Sequence, residues 1–128
     1  MPSEKEWEKA ARGTDQRRYP WGDKWDKSRF SYYSSGVLPQ GPVGCFPQGA
    51  SPYGAEDMLG NALEWTLSDM MPHDSSRSMG VVCGGDIVAT QSTDPSKRLV
   101  VTWRNACDHD LTVPYVGFRC VKRGAGAR

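Results

Sequence analysis

Apolar residues recur along this chain in different ways, and each predicts a different kind of element. Near the start, Trp7, Ala10 and Ala11 fall on one face at helical spacing. Ser3 and Glu6 stand three apart, as a capping box requires: the hydroxyl takes the third helical amide and the carboxylate reaches back to the cap amide. Glu4 and Glu6 place negative charge in the first turn, where the helix dipole favours it, and Gly13 supplies a stop. The spacing predicts a helix of about three turns anchored by Trp7. Later, Val81-Val82-Cys83 reads as a strand running into the Gly84-Gly85 bend. Leu99 to Arg104 reads as a strand or a short buried segment, and Val116 to Val121 alternates as a strand does. Pro42 to Pro47 is predicted to be extended. Between Arg17 and Gln40 no period holds. Tyr19, Trp21, Trp25, Tyr32 and Tyr33 there predict an ordered loop pinned by aromatic rings. Met70–Met79 and Gln91–Lys97 are polar and read as surface loops.

Composition narrows the picture. A chain of 128 residues has room for one domain. With 14 Gly and 9 Pro, short elements and much loop are expected, while five Trp and five Tyr supply enough apolar area to order it. The net charge of +1 gives no electrostatic case for nucleic acid or an acidic membrane as partner. No apolar run approaches the roughly 20 residues of a membrane span, and no signal peptide pattern is visible at this start. The predicted domain is 1–121. Residues 122–128, from Lys122 and Arg123 into a Gly-Ala tail, are expected to be flexible.

The four cysteines, Cys45, Cys83, Cys107 and Cys120, make no C-x-x-C and no paired metal-ligand spacing, which argues against a zinc site. Each reads as a small buried apolar residue. A Cys107–Cys120 disulfide is left open by the spacing. In the triplet Asp108-His109-Asp110, an extended backbone sends the histidine away from the two aspartates, so a solvated loop is expected rather than a metal site.

Six blocks, in order over nearly the whole chain, resemble the formylglycine-generating enzyme (sulfatase-modifying factor) family. Pro2 to Gly13 resembles its LPTEAEWEKAARG, and Tyr19-Pro20-Trp21-Gly22 its YPWG. Pro42-Val43-Gly44 with Phe46-Pro47 resembles PVGSFP. Tyr53-Gly54, Asp57-Met58 and Gly60 to Trp65 together resemble YGLYDMAGNVWEW. Gly84-Gly85 resembles RGGS, and Gly117 to Cys120 the closing GFRC. The resemblance implies an α+β fold of the C-type-lectin-like variant found in this family, loop-rich, with short strands and a short N-terminal helix. It also implies an incomplete domain, because a family domain is about twice as long and its first half precedes the first block.

The resemblance further implies which chemistry is kept and which is lost. The family's oxidase uses two cysteines shortly after GGS that bind copper and activate oxygen, thiolates being soft ligands that select Cu(I). Those places fall near Ala89 and Asp94 here, Asp86 replaces the serine of GGS, and Leu63 replaces an aromatic residue. No catalytic residue and no copper are therefore expected, and the balance lies against an enzyme. Cys83, where the family usually carries Arg or Lys, is the remaining candidate for a reactive thiol; the alternative is a packed strand residue. The family's calcium loop carries over as the side chains of Asp57 and Glu64 and the carbonyls of Gly60 and Ala62, oxygen ligands that suit a hard cation. Against it stands a reading in which Asp57 caps a turn and Glu64 pairs with an arginine. Trp103, Arg104, Tyr115 and Arg119 are candidates for ligand contact, with buried ion pairing the alternative for the two arginines.

Taken together, the leading expectation is a non-catalytic ligand- or protein-binding module on this scaffold, presenting loops Ser75–Met79, Ala89–Lys97 and Cys107–Tyr115. Related domains serve as variable binding proteins and as appendages of bacterial enzymes and kinases. The alternatives are a copper- and oxygen-dependent oxidase of peptide cysteine with altered or missing residues, and an assembly module that self-associates or pairs with a missing N-terminal half.

Overall fold

In the computed structural model, residues 1–32, 40–74, 76–85, 94–122 and 124 are described. Helix α1 spans Glu4–Arg12. Four strands follow: β1 (Leu63–Met70), β2 (Met79–Cys83), β3 (Arg104–Cys107) and β4 (Val116–Phe118). They form one mixed sheet in the order β3-β2-β1-β4. β1 runs antiparallel to β2 and parallel to β4, and a register shift between Trp65 and Asp69 bends it. The fold is α+β, with one short helix and short strands, as expected.

The helix forms for the reasons its sequence gives. The Ser3 hydroxyl accepts from the Glu6 amide, and the Ser3 amide donates to the Glu6 carboxylate at 2.7 Å. Gly13, at φ 75°, takes the cap and donates to the Lys9 carbonyl. Trp7 and Ala11 are buried and pack with Met58, Val81, Cys83 and Val101 in a core between helix and sheet. Arg104 on β3 clamps the same helix from outside, pairing with Glu4 and, at 2.7 Å, with Glu8.

A second core lies on the opposite face of the sheet. Tyr19, Phe30, Leu59, Leu63, Val82 and Leu99 are buried there. The loop that precedes them is pinned by rings: Trp21 stacks on Tyr19 and on Phe30 at 5.4 Å, and Trp25 meets Tyr19 and Phe30 edge-on. The expected aromatic pinning is thus present through Tyr32; Tyr33 lies outside the described residues.

Some expectations differ in detail. Of the two readings of Leu99 to Arg104, the short buried segment holds for Leu99 and Val101 and the strand does not: only Arg104 of that segment joins β3. The reason lies in the two cores: Leu99 belongs to one and Val101 to the other, and the Val101 amide bonds to the Arg18 carbonyl instead of a strand. Pro42–Pro47 turns at Gly44 (φ 78°) instead of running extended. The strand β1, unassigned from sequence, is the longest of all.

Candidate functional site

The loop between Asp57 and Leu63 makes an abrupt backbone excursion before β1 begins. Asp57, Gly60 and Asn61 all have positive φ, of 54°, 78° and 59°, which L-residues rarely adopt and which Asn and Asp tolerate best. Gly60 can be nothing else, because a Cβ there would sit 2.0 Å from the Ser31 carbonyl oxygen. The loop is tied on three sides. The Asn61 amide donates to the Ser31 carbonyl at 2.8 Å, the Gly60 amide to the Gly84 carbonyl, and the Gly41 amide to the Asn61 side chain.

Behind this loop lies a nearly buried carboxylate. Glu64, 9% exposed, accepts from Trp7 Nε1 at 2.6 Å and from Arg119 Nε at 2.6 Å on one oxygen, and from Arg119 Nη2 at 2.7 Å on the other. The arginine fork is bidentate, the geometry in which a guanidinium holds a carboxylate best. Arg119 also donates to the carbonyls of Glu56 and Asp57 at 3.2 and 3.3 Å. Trp7 ties helix α1, and Arg119 the loop and the end of β4, to a single carboxylate. No buried side-chain polar atom among the described residues lacks a hydrogen-bond partner.

In front of Glu64 opens a cleft of about 400 Å³ lined by Asp57, Ala62, Glu64 and Arg119, with Val43 and Phe118 at its mouth. Three of the four residues expected to hold calcium thus share one cavity. Gly60 is not part of its lining, and its carbonyl accepts from the Ala62 amide at 2.7 Å. Asp57 Oδ2 accepts from the Gly44 amide at 2.8 Å, which leaves Oδ1 without a donor among the described residues. The donor set is hard oxygen throughout, as calcium prefers, but Arg119 already lies on Glu64. The fit is therefore partial.

The four candidate ligand contacts do not converge. Arg119 belongs to the Glu64 cleft, while Arg104 is engaged with Glu4 and Glu8 on the helix. Trp103 and Tyr115 pack against the aromatic core. For both arginines the ion-pairing alternative is what the structure contains. The Asp108 triplet also diverges: Asp108 faces Arg77 at 3.5 Å, and His109 faces Asp69 at 3.7 Å. No group of three metal-binding side chains occurs among the described residues.

Cys83 lacks the exposed, electropositive surroundings of a reactive thiol. It is 2% exposed in the helix–sheet core, and burial, reinforced by the nearby Glu64 and Glu8 charges, pushes its pKa up to about 12. The expectation that all four cysteines are buried fails elsewhere: Cys45 and Cys120 are exposed, Cys107 is intermediate, and all four are free. The Cys107–Cys120 disulfide is accordingly not formed. Ala89 and Asp86 lie outside the described residues, as do Ser75 and residues 89–93 of the expected presenting loops. Asp94 is described: it caps the short 3-10 turn Pro95–Lys97, accepting from the Ser96 amide.

The chain as a whole resembles known proteins. Residues 1–124 match the model of the sulfatase-modifying factor enzyme 1-like domain, and the chain belongs to that family. Among curated relatives, the formylglycine-generating enzyme of Mycobacterium tuberculosis is 30% identical over 94% of this chain and 50% of its own length. The inactive C-alpha-formylglycine-generating enzyme 2 of Bos taurus is 35% identical over 98% of this chain and 44% of its own. A solved structure, that of CarF, superposes with a TM-score of 0.69 at 23% identity, covering 92% of this chain and 45% of CarF; at that identity it speaks to fold alone. The chain spans about half the length of the curated relatives it matches.

Proposed function

We propose that this chain is a non-catalytic member of the sulfatase-modifying factor family, a scaffold whose role is binding. The observation that carries the reading is the state of the thiols. At one of the two places where the family's resemblance puts oxidase cysteines stands Asp94, engaged in capping a turn. The nearest candidate substitute, Cys83, is sealed in the core with its thiol held protonated. A Cu(I) site needs accessible thiolates, and neither position offers one. The likeness to a relative described as inactive supports the same reading. The test is incubation with a cysteine-containing sulfatase-type peptide, copper and oxygen, followed by mass spectrometry. Unchanged peptide is expected; conversion of its cysteine to formylglycine overturns the proposal in favour of the oxidase alternative.

A structural calcium ion is a second reading, favoured by the three positive-φ residues that turn the loop about the cleft. Asp57, Ala62 and Glu64 would hold it from the cleft wall, with the Gly60 carbonyl behind. The ion would supply charge that offsets the two carboxylates and would stiffen the loop. Melting with calcium and with EDTA tests it: a higher Tm in calcium, abolished by Asp57→Ala, is expected. Equal Tm values in the two conditions end the calcium reading while leaving the scaffold reading intact.

A further inference from the structure

The aromatic rings that pin the loop after α1 also floor an open cleft. It measures about 450 Å³ and is lined by Trp21, Asp23, Lys24, Trp25, Asp26 and Arg29, a size within the range of small-molecule sites. None of these residues lines the Glu64 cleft. Trp21 stacks on Tyr19 at 11°, whereas Trp25 meets the same ring at 63°. The two indoles are therefore steeply inclined to one another and form a corner rather than a parallel slot. Their contacts with Phe30 hold that corner in place, so little ordering is needed when a ligand arrives.

The polar rim divides into groups already engaged and groups still open. Asp26 accepts from the Ser28 amide and hydroxyl and from Arg29 Nε at 2.9 Å, and Arg29 also donates to the Gln48 carbonyl. The Trp21 indole N–H donates to the Lys24 carbonyl. Asp23 receives the Arg18 amide on Oδ1, which leaves Oδ2 without a donor among the described residues. The Lys24 ammonium and the Trp25 indole N–H likewise meet no described partner. The charges balance, Asp23 against Lys24 and Asp26 against Arg29. Lys24 and Arg29 work against a cationic ligand over the rings, and the two aspartates against an anionic one. Such a rim suits a neutral ligand that offers donors and acceptors together beside an apolar face.

We propose that this cleft is a pyranose-binding site, taking a neutral sugar ring with its C–H face on the corner of Trp21 and Trp25. A hydroxyl both donates and accepts, so neighbouring sugar hydroxyls serve the Asp23 carboxylate and the Lys24 ammonium at once. The affinity comes from apolar contact with the two half-buried indoles, and the rim sets the orientation. A planar nucleobase suits the site less, because inclined rings give it one stacking surface and not two. A zwitterion would rely on ion pairs with Asp23 and Lys24, both exposed, and such pairs contribute little in water. The site does not depend on whether the chain is catalytic, and its failure would leave that reading untouched.

The test is titration of the isotope-labelled chain with the methyl glycosides of glucose, galactose, mannose and N-acetylglucosamine, followed by NMR at the indole N–H signals. Saturable movement of the Trp21 and Trp25 signals, with a Kd of about 1 mM, is expected for at least one glycoside. The Trp7 signal, held on Glu64, should stay still. Asp23→Asn keeps the acceptor of the Arg18 amide, and Lys24→Ala keeps the carbonyl that holds Trp21. Each is expected to weaken binding about tenfold while leaving the Tm unchanged. Three results overturn the proposal. One is the absence of a saturable shift with every glycoside up to about 100 mM. Another is glycoside binding that neither substitution weakens. The third is tighter binding of tetramethylammonium, adenosine or free phenylalanine at the same two indoles than of any glycoside.

Discussion

The two faces of β1 are built from alternate residues of the same strand, yet they meet opposite fates. On one face Glu64 and Thr66 are polar and buried: Glu64 is held by Trp7 and Arg119, and the Thr66 hydroxyl donates to the Val81 carbonyl at 3.0 Å. On the other, Leu63 and Trp65 are apolar and start in the core, but the row continues to Leu67, which is largely in solvent. The polar face is the sealed one. Burial here follows from whether each group has a partner: α1 supplies one to the carboxylate, while nothing described covers the leucine.

The sharpest way to break that contrast is to remove the carboxylate. Glu64→Ala leaves the Arg119 guanidinium, 25% exposed at its side chain, with the Glu56 and Asp57 carbonyls but no carboxylate, and takes the acceptor from the Trp7 indole N–H. Breaking one partner of a buried pair costs about 3–5 kcal/mol, and the partial exposure of Arg119 places the expected loss near the lower end of that range. Urea unfolding measures it. A loss below about 1 kcal/mol would mean that the pair behaves as a surface salt bridge and that the polar face is not sealed.

A smaller effect separates Cys83 from the exposed thiols. In the folded chain at neutral pH, Cys45 and Cys120 are expected to react with iodoacetamide, and Cys83 only on unfolding. The pH dependence follows from the raised pKa. The unfolded thiol ionises through about 9 and the folded one only near about 12. The folded state therefore keeps a proton that the unfolded state has released. Stability from this group is fully present below pH 9 and is lost as pH rises from 9 to 12. Cys83→Ala should remove that part of the alkaline slope. An unchanged slope would place its origin in other groups.

How much of this was legible in sequence depended on how far apart the partners lie. The capping box joins residues three apart, so Ser3 and Glu6 disclosed the helix and its start without any tertiary information. Glu64 is different: its donors lie 57 and 55 residues away. The alternation of β1 is intact in the sequence, but the polar parity that holds Glu64 is the buried one, which alternation alone does not disclose. The signal that could have found the strand was Leu63-Trp65-Leu67 on one parity, with Thr66 among the buried set of the other. Leu99 to Val101 misled in the opposite direction. Three consecutive apolar residues mimic a strand when the chain actually crosses between two cores. The calcium candidates were legible as a loop because glycine and asparagine advertise positive φ, whereas the guanidinium lying on Glu64 could only appear once β4 was placed beside β1.

The smallest expected effect, that of Leu67, sharpens the comparison when set against a large one on the same strand. Leu63→Ala removes a side chain that is 6% exposed and should cost about 2–5 kcal/mol, as buried leucines do. Leu67→Ala, four residues along the same strand, removes one that is 58% exposed and should change stability by less than about 0.5 kcal/mol. Urea unfolding of the two variants measures the difference; a Leu67→Ala loss as large as that of Leu63→Ala would mean that the outer part of this face is packed as the inner part is.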